Sequence, residues 1–434
     1  MNNDEILVDN VKFNYWLNLR KTTVNQLIKK KNSLKNKINT KKNFTINNVE
    51  IEFIEDYLKV SKVNILFKND LPKYIFWSRE TIKKTKRSIN RSGIHFYNYY
   101  SLPTPKSFVG PVILDILCPK NKFPDLNNGH LEQAITVNLG PEDIYGRWKK
   151  LKTKDNFSKI KANKSGKNSW IIGDTYVEPT FCLHSYSRAT NLNSQILSYT
   201  AKSPIDKFVK NLNLWSNESY KNFIKYLDMN NNASVLFNFY LRNRCVDFKY
   251  ISNIIKKKIY NFQQLIKNKK NLDKICSHLG IDSAIFIKRR YNEDSVGKSY
   301  LSYSDSFKTI RKFKSYLIAS MASSIRYPDL FGIFISVNNK NKSKDLIDYA
   351  ASHYLVTGGI LNIYIDNKII KLKKGDALWI CSFVKHGFAG KGSLIKISNG
   401  ESMDTGDIFE ISKIYNAKKT LTRSYQDKKT WGYE

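Results

Sequence analysis

Long apolar runs are missing from this chain. None of its 434 residues falls in a stretch of about eighteen apolar residues, the length a membrane-spanning helix needs. Cysteine is sparse: Cys118, Cys182, Cys245, Cys276 and Cys381 are scattered, odd in number and without a C-x-x-C pair. That excludes a disulfide framework and a thiolate zinc cluster, and predicts reduced, mostly buried thiols. The opening residues, Met1-Asn2-Asn3-Asp4-Glu5, are polar, and no apolar segment of the signal-peptide kind follows them. A cytoplasmic protein with no membrane partner is expected. Histidine is scarce as well, with only six in the chain.

Hydrophobic residues make up 41% and aromatics 13%, so the chain is globular and long enough for two or more cores. Its formal net charge of +36 raises a nucleic-acid partner. The lysines, however, run along the whole length beside abundant Asn and Ile, as the codon bias of an AT-rich genome would produce. No nucleic-acid partner is expected, although a general positive field would draw a small dianion inward. The rival class is a DNA-binding regulator, with Thr22-Thr23-Val24-Asn25-Gln26-Leu27-Ile28 starting a helix-turn-helix. The following Lys29-Lys30-Lys31-Asn32 has no glycine turn. Gly297-Lys298-Ser299 resembles the end of a phosphate-binding loop, but Asn292 stands where the first glycine belongs.

The chain reads as a duplication. Residues 8–67 and 205–290 have helical spacing and Lys-rich polar faces. Each is followed by short β-branched and aromatic runs broken by Gly, Asn and Asp, the pattern of barrel strands. Gly173-Asp174 is followed by nine residues and then His184, and Gly375-Asp376 by nine residues and then His386. A glycine turn followed by a late histidine is how the second motif of a cupin barrel reads. His130 and His353 each open a strand upstream and are taken as counterparts. The fold class is therefore α+β, a tandem repeat of a small helical domain plus a cupin-like double-stranded β-helix barrel. The expected domains are helical 1–86, catalytic barrel 87–204, helical 205–295 and a degenerate structural barrel 296–434.

Two imidazoles and one carboxylate on one side of a metal leave positions open for O₂ and substrate. In the first repeat the set is His130, Glu178 and His184. Glu178 and His184 are six apart, which on one extended segment puts them on the same face, with Pro179 at an edge or bulge. In the second repeat Ile380 stands in the place of Glu178. Taken singly, each histidine also fits a satisfied core position. Iron suits the set better than zinc, because positions stay open and no thiolate takes part. Cys182, at even spacing from both, is assigned to packing. A sugar-phosphate isomerase or another zinc cupin, which would consume no O₂, is a further alternative.

Several blocks carry a likeness. They are Arg91-Ser92-Gly93-Ile94-His95-Phe96-Tyr97-Asn98-Tyr99-Tyr100, Asn127-Asn128-Gly129-His130-Leu131-Glu132, Gly140-Pro141-Glu142-Asp143-Ile144-Tyr145-Gly146-Arg147-Trp148, Gly173-Asp174-Thr175-Tyr176-Val177-Glu178-Pro179, Ala319-Ser320-Met321-Ala322-Ser323 and Trp431-Gly432-Tyr433. Over nearly the whole chain the sequence resembles the 2-hydroxyethylphosphonate dioxygenase and methylphosphonate synthase family of cupin-type non-heme iron oxygenases, enzymes of phosphonate biosynthesis.

The resemblance implies Fe(II) on His130, Glu178 and His184, O₂ as co-substrate and no 2-oxoglutarate. It implies a small phosphonate substrate held by Arg91, Tyr99, Asn127, Tyr176 and Ser198. Lys21 would reach the site from a neighbouring subunit of a homo-oligomer. Lys21, Tyr176 and Glu178 would be the catalytic group. The chemistry agrees, since an Arg fork suits a phosphonate dianion and neutral hydroxyl and amide donors orient it. Two products are open. The dioxygenase outcome is hydroxymethylphosphonate and formate; the synthase outcome is methylphosphonate and CO₂. Keeping Glu178 favours the first. Gln133, Phe181 and Leu183 depart from the dioxygenase pattern and are candidates for steering the product.

Overall fold

A computed structural model describes residues 5–39, 41–67, 71–106, 108–150, 154–200, 206–212, 214–227, 232–286, 292–340, 342 and 344–426. The terminal Trp431-Gly432-Tyr433 block lies outside these residues. Among them, no helix is long and apolar enough to cross a membrane.

Capping residues mark where the first helical unit begins each helix. Asp9 accepts from the backbone at the start of Asn10–Leu19. Thr23 and Gln26 form a capping box on Val24–Lys30, and Asn47 and Glu50 form another on Asn48–Leu58. Phe13, Leu17, Leu27, Ile51, Ile54 and Leu58 close its core. The unit is not purely helical, because strands Ile6–Val8 and Phe44–Ile46 pair across it. The second unit has its own core around Phe237, Ile251, Phe262, Leu272 and Ile275.

The β regions form two barrels. In the first, a seven-stranded sheet faces a three-stranded sheet made of Leu183–Arg188, Ile144–Lys149 and Asn156–Ile160. In the second, eight strands include the long pair Ser352–Ile365 and His386–Asn399. The two barrels meet through apolar faces that bury Ile135, Val137 and Leu197 against Phe334, Ile395 and Ile397.

Each barrel borrows a strand from the other repeat. Tyr74–Trp77, within the segment expected to be helical domain 1, pairs with Ala377–Ile380 of the second barrel. Ser299–Leu301, within the segment expected to be the second barrel, pairs with Thr175–Glu178 of the first. These pairings therefore join segments on different sides of the boundaries drawn from sequence at 86/87 and 295/296.

The register corrects one pairing. Glu178 lies opposite Ala134, and Ile380 lies opposite Ser352. Ile380 thus does occupy the place of Glu178. His353, however, falls one residue after Ser352, whereas His130 falls four residues before Ala134. The counterpart of His130 is Asp348. Phe181 N–H donates to the His130 carbonyl and Phe383 N–H to the Asp348 carbonyl, each at 2.7 Å. One residue along a strand reverses the face, so His353 points out of its barrel. Its ring meets Tyr199 with centroids 5.0 Å apart, and its Nε2 lies 3.0 Å from Thr104 Oγ1.

Thr104 belongs to the 102–111 connection, which the second barrel holds at two further points. Phe108 lies against Trp379, and Val109 N–H donates to Glu401.

Burial holds the His353 imidazole down at about 3, against the ordinary 6.5. Between those values the unfolded chain binds a proton that the folded chain does not. The contribution of His353 is therefore whole above pH 6.5 and is lost as pH falls toward 3. Urea unfolding from pH 7 to pH 4 should show a falling midpoint. His353→Gln should flatten that fall by up to ~1.4 kcal/mol per pH unit. An unchanged slope in the variant would exclude His353 as the group responsible.

Candidate metal centre

Glu178 ends strand Thr175–Glu178, and His184 lies in strand Leu183–Arg188 of the facing sheet. They do not share a strand, as their even spacing had suggested. A turn through Pro179, Thr180 and Phe181 joins the two sheets, with Phe181 at φ 50°. His130 comes from the connection before Ala134–Gly140. The Phe181 N–H bond to the His130 carbonyl ties that connection to the turn. Gly129 permits the approach: a Cβ there would stand 2.9 Å from the Phe181 backbone.

One ligand atom from each of His130, Glu178 and His184 falls within 4.8 Å of the others. Backbone carbonyls select the histidine nitrogens. His130 Nδ1 lies 2.5 Å from the Glu132 carbonyl, and His184 Nδ1 lies 2.9 Å from the Cys182 carbonyl. A ring nitrogen that donates to a carbonyl carries the proton, which at His130 leaves the Nε2 lone pair toward Glu178; at His184, Nε2 meets Asn127 Nδ2 and Nδ1 is the ring nitrogen nearer Glu178. Glu178 is 2% exposed. Its Oε2 accepts from Trp148 Nε1 at 3.0 Å, while Oε1 lies 3.8 Å from His130 Nε2 and 3.4 Å from His184 Nδ1. Gly146 makes room for the indole, since a Cβ there would lie 1.9 Å from it. Two imidazoles and one singly engaged carboxylate fit a divalent ion with open positions.

A cavity of about 260 Å³ opens beside this set. Arg91, Tyr99, Asn127, Ser198, His130 and His184 all line it. Sequence reasoning had named these six, and the fold brings them together. Several donors are pre-aimed. Asn127 Oδ1 accepts from Gly129 N–H and His184 N–H, which leaves its Nδ2 2.9 Å from His184 Nε2. Thr136 donates to Ser198 at 3.3 Å, leaving the Ser198 proton for the cavity. Arg91 spends one N–H on the Asp125 carbonyl and lies over the Phe96 ring. Burial raises the Tyr99 phenol above its ordinary value, the Arg91 charge opposing, so it remains a donor.

The other named residues lie elsewhere. Tyr176 is fully buried and donates to the Tyr186 hydroxyl at 2.5 Å; Tyr186, not Tyr176, lines the cavity. Burial holds both phenols well above their ordinary value. Lys21 sits outside this cavity, in a surface groove with Arg20, Lys29, Lys30 and Tyr57. Phe181 is 58% exposed. Gln133 is buried and Leu183 half-buried, and neither lines the cavity. Cys182 is buried in the barrel core, its thiol pushed up by burial to about 12, which suits packing. Trp148 and Tyr186 were missed. Their only sequence signal was an aromatic at an inward strand position, which this Tyr-rich chain offers many times.

Among the described residues the second barrel has no such set. At the matching positions stand Asp348, Ile380 and His386. The Tyr354 hydroxyl lies between the polar two, 3.1 Å from Asp348 and 2.8 Å from His386 Nε2. Lys396 pairs with Asp348.

Comparison with known proteins agrees with this geometry. Residues 83–201 match the family model described as the 2-hydroxyethylphosphonate dioxygenase cupin-like domain. The 2-hydroxyethylphosphonate dioxygenase of Streptomyces viridochromogenes is 36% identical over 367 residues, covering 82% of this chain and 83% of that protein. The chain belongs to the 2-hydroxyethylphosphonate dioxygenase family. Within that family, PhpD with cadmium and hydroethylphosphonate is 32% identical, with a TM-score of 0.83 over 96% of this chain and 99% of its own. The Streptomyces albus enzyme with 2-hydroxyethylphosphonate and Fe(II) bound has a TM-score of 0.76 over 98% of both chains. At 12% identity, that likeness is one of fold alone.

Glu178→Ala should cost more metal affinity than the ~10–100-fold that follows loss of an outer partner. Calorimetric titration with Co(II) measures it, and near-normal binding would remove Glu178 from the ligand set.

Proposed function

We propose that this chain cleaves the C–C bond of 2-hydroxyethylphosphonate with O₂, giving hydroxymethylphosphonate and formate, at an Fe(II) ion held by His130, Glu178 and His184. One observation carries the reading. A guanidinium, a phenol, an amide and a serine hydroxyl line the same cavity as the two histidines. Those donors match a phosphonate dianion in charge and geometry.

Iron, when bound, supplies O₂ activation and a template for the substrate oxygens, without 2-oxoglutarate. The protein does the rest. Arg91 neutralises phosphonate charge with the N–H groups it has not spent on Asp125. Tyr99, Asn127 and Ser198 donate to the remaining oxygens and set the orientation of the carbon chain. Tyr176, by donating to Tyr186, leaves the Tyr186 proton free to point into the cavity. Tyr176 thus acts on the site through Tyr186. Phe96, Val112, Leu114 and Ile196 form the apolar wall, which keeps solvent from reactive species.

Glu178 favours this product over methylphosphonate. Of the three residues considered for steering the product, Phe181 faces solvent, and neither Gln133 nor Leu183 lines the cavity. The five cysteines are all free, which suits the reducing cytoplasm.

Anaerobic Fe(II) loading, addition of 2-hydroxyethylphosphonate and admission of O₂, read by phosphorus NMR, tests the activity. Hydroxymethylphosphonate should appear. Methylphosphonate as the main product would establish the synthase instead, and absence of turnover would sink both.

The proposal extends to a homo-oligomer in which Lys21 serves the neighbouring subunit's cavity. Lys21→Ala and Glu178→Ala chains, each inactive alone, should recover up to about a quarter of wild-type activity when refolded together as dimers. No recovery would place the action of Lys21 elsewhere.

A further inference from the structure

Lys298 carries an ammonium that no role described so far uses. Its side chain is 2% exposed. A buried cation persists only where charge and dipoles compensate it. Two groups do so. Asp294 Oδ2 lies 3.1 Å away, and the Trp148 ring lies beneath the ammonium, 3.8 Å from Nζ to the centroid. Asp294 is itself pinned by the backbone N–H groups of Val296 and Lys298, at 3.0 and 2.9 Å, and by Asn156 at 3.2 Å. Gly297 turns the chain at φ 85°. Val296 is fully buried in the core of the first barrel. The strand that follows, Ser299–Leu301, is the one paired with Thr175–Glu178. The 294–301 segment is thus a plug from the second repeat, set into the first barrel beneath its metal centre.

The same indole that receives the ammonium donates to Glu178 Oε2. A cation over an aromatic face holds the ring by electrostatic attraction. It also draws electron density from the ring, so the edge N–H becomes a stronger donor. We propose that Lys298 is a positioning residue for the metal centre: it fixes Trp148, which holds Glu178 by Oε2 and so presents Oε1 to the ion. The inference rests on the assignment of His130, Glu178 and His184 as metal ligands. Lys298 touches neither ion nor substrate and acts through Trp148.

Co(II) titration of the full chain, followed by calorimetry and by the d–d absorption of the bound ion, tests this apart from turnover. Lys298→Met should weaken Co(II) binding by ~10–100-fold and shift the d–d bands. Lys298→Arg keeps a cation over the indole and should bind within about threefold of wild type. Should Lys298→Met fail to fold, two variants decide. Trp148→Phe keeps a ring under the ammonium but removes the N–H, and must lose affinity, whereas Lys298→Arg must not. Wild-type affinity and spectrum in Lys298→Met, or wild-type affinity in Trp148→Phe, overturns the proposal. Failure of the wild-type chain itself to take up Co(II) overturns the metal assignment instead, and this role with it.

Discussion

A carboxylate buried to 2% exposure must be compensated on every side, and much of the first barrel is arranged around Glu178 for that purpose. One oxygen is held from below by Trp148. The other faces two imidazoles whose Nδ1 atoms lie against backbone carbonyls. The glycines at 129 and 146 exist for the same end, one letting the His130 connection close on the turn and one admitting the indole. Remove the carboxylate and these devices have no common purpose. The second barrel illustrates this, because an isoleucine at the matching position is accompanied by a filled interior.

The contrast between the barrels comes down to where bulk is placed. In the first, Tyr176 lies opposite Thr136. In the second, Leu378 lies opposite Tyr354. Moving the large ring to the other strand puts a phenol between Asp348 and His386, where the first barrel keeps its ligand site. The second barrel has instead taken on a scaffold task. Through His353, Trp379 and Glu401 it grips the 102–111 connection, whose Gly110 lines the cavity beside His130 and His184.

The sequence pattern conveyed the duplication, the paired Gly-Asp turns and the ligand types, because these are local and periodic. It misjudged the partner of His130. Between the matched strands, Ala134 to Thr175 spans more residues than Ser352 to Ala377, since the hairpin Ile144–Lys149 and Asn156–Ile160 has longer connections than its counterpart, the far half of Ser352–Ile365 and Lys368–Lys373. Simple offsets therefore slid onto His353, and only the strand register identified Asp348. Trp148 and Lys298 were illegible for another reason. The indole is 30 residues from the carboxylate it holds, and the ammonium arrives from the other repeat. No window of sequence contains that contact, and Lys298 read only as a fragment of an imperfect phosphate loop.

The reciprocal exchange of strands also sets an order of events during synthesis. A ribosome emits the first barrel's ligands well before it emits Ser299–Leu301. Until then, strand Thr175–Glu178 has an open edge and Trp148 lacks its ammonium. The strand Tyr74–Trp77 waits still longer, until Ala377–Ile380 emerges. A nascent or truncated chain therefore carries all three ligands on an unfinished frame, with edges open to wrong pairing. The site becomes complete only when the second repeat has been made. The shared strands thus tie the finished frame of the metal centre to the presence of the second repeat.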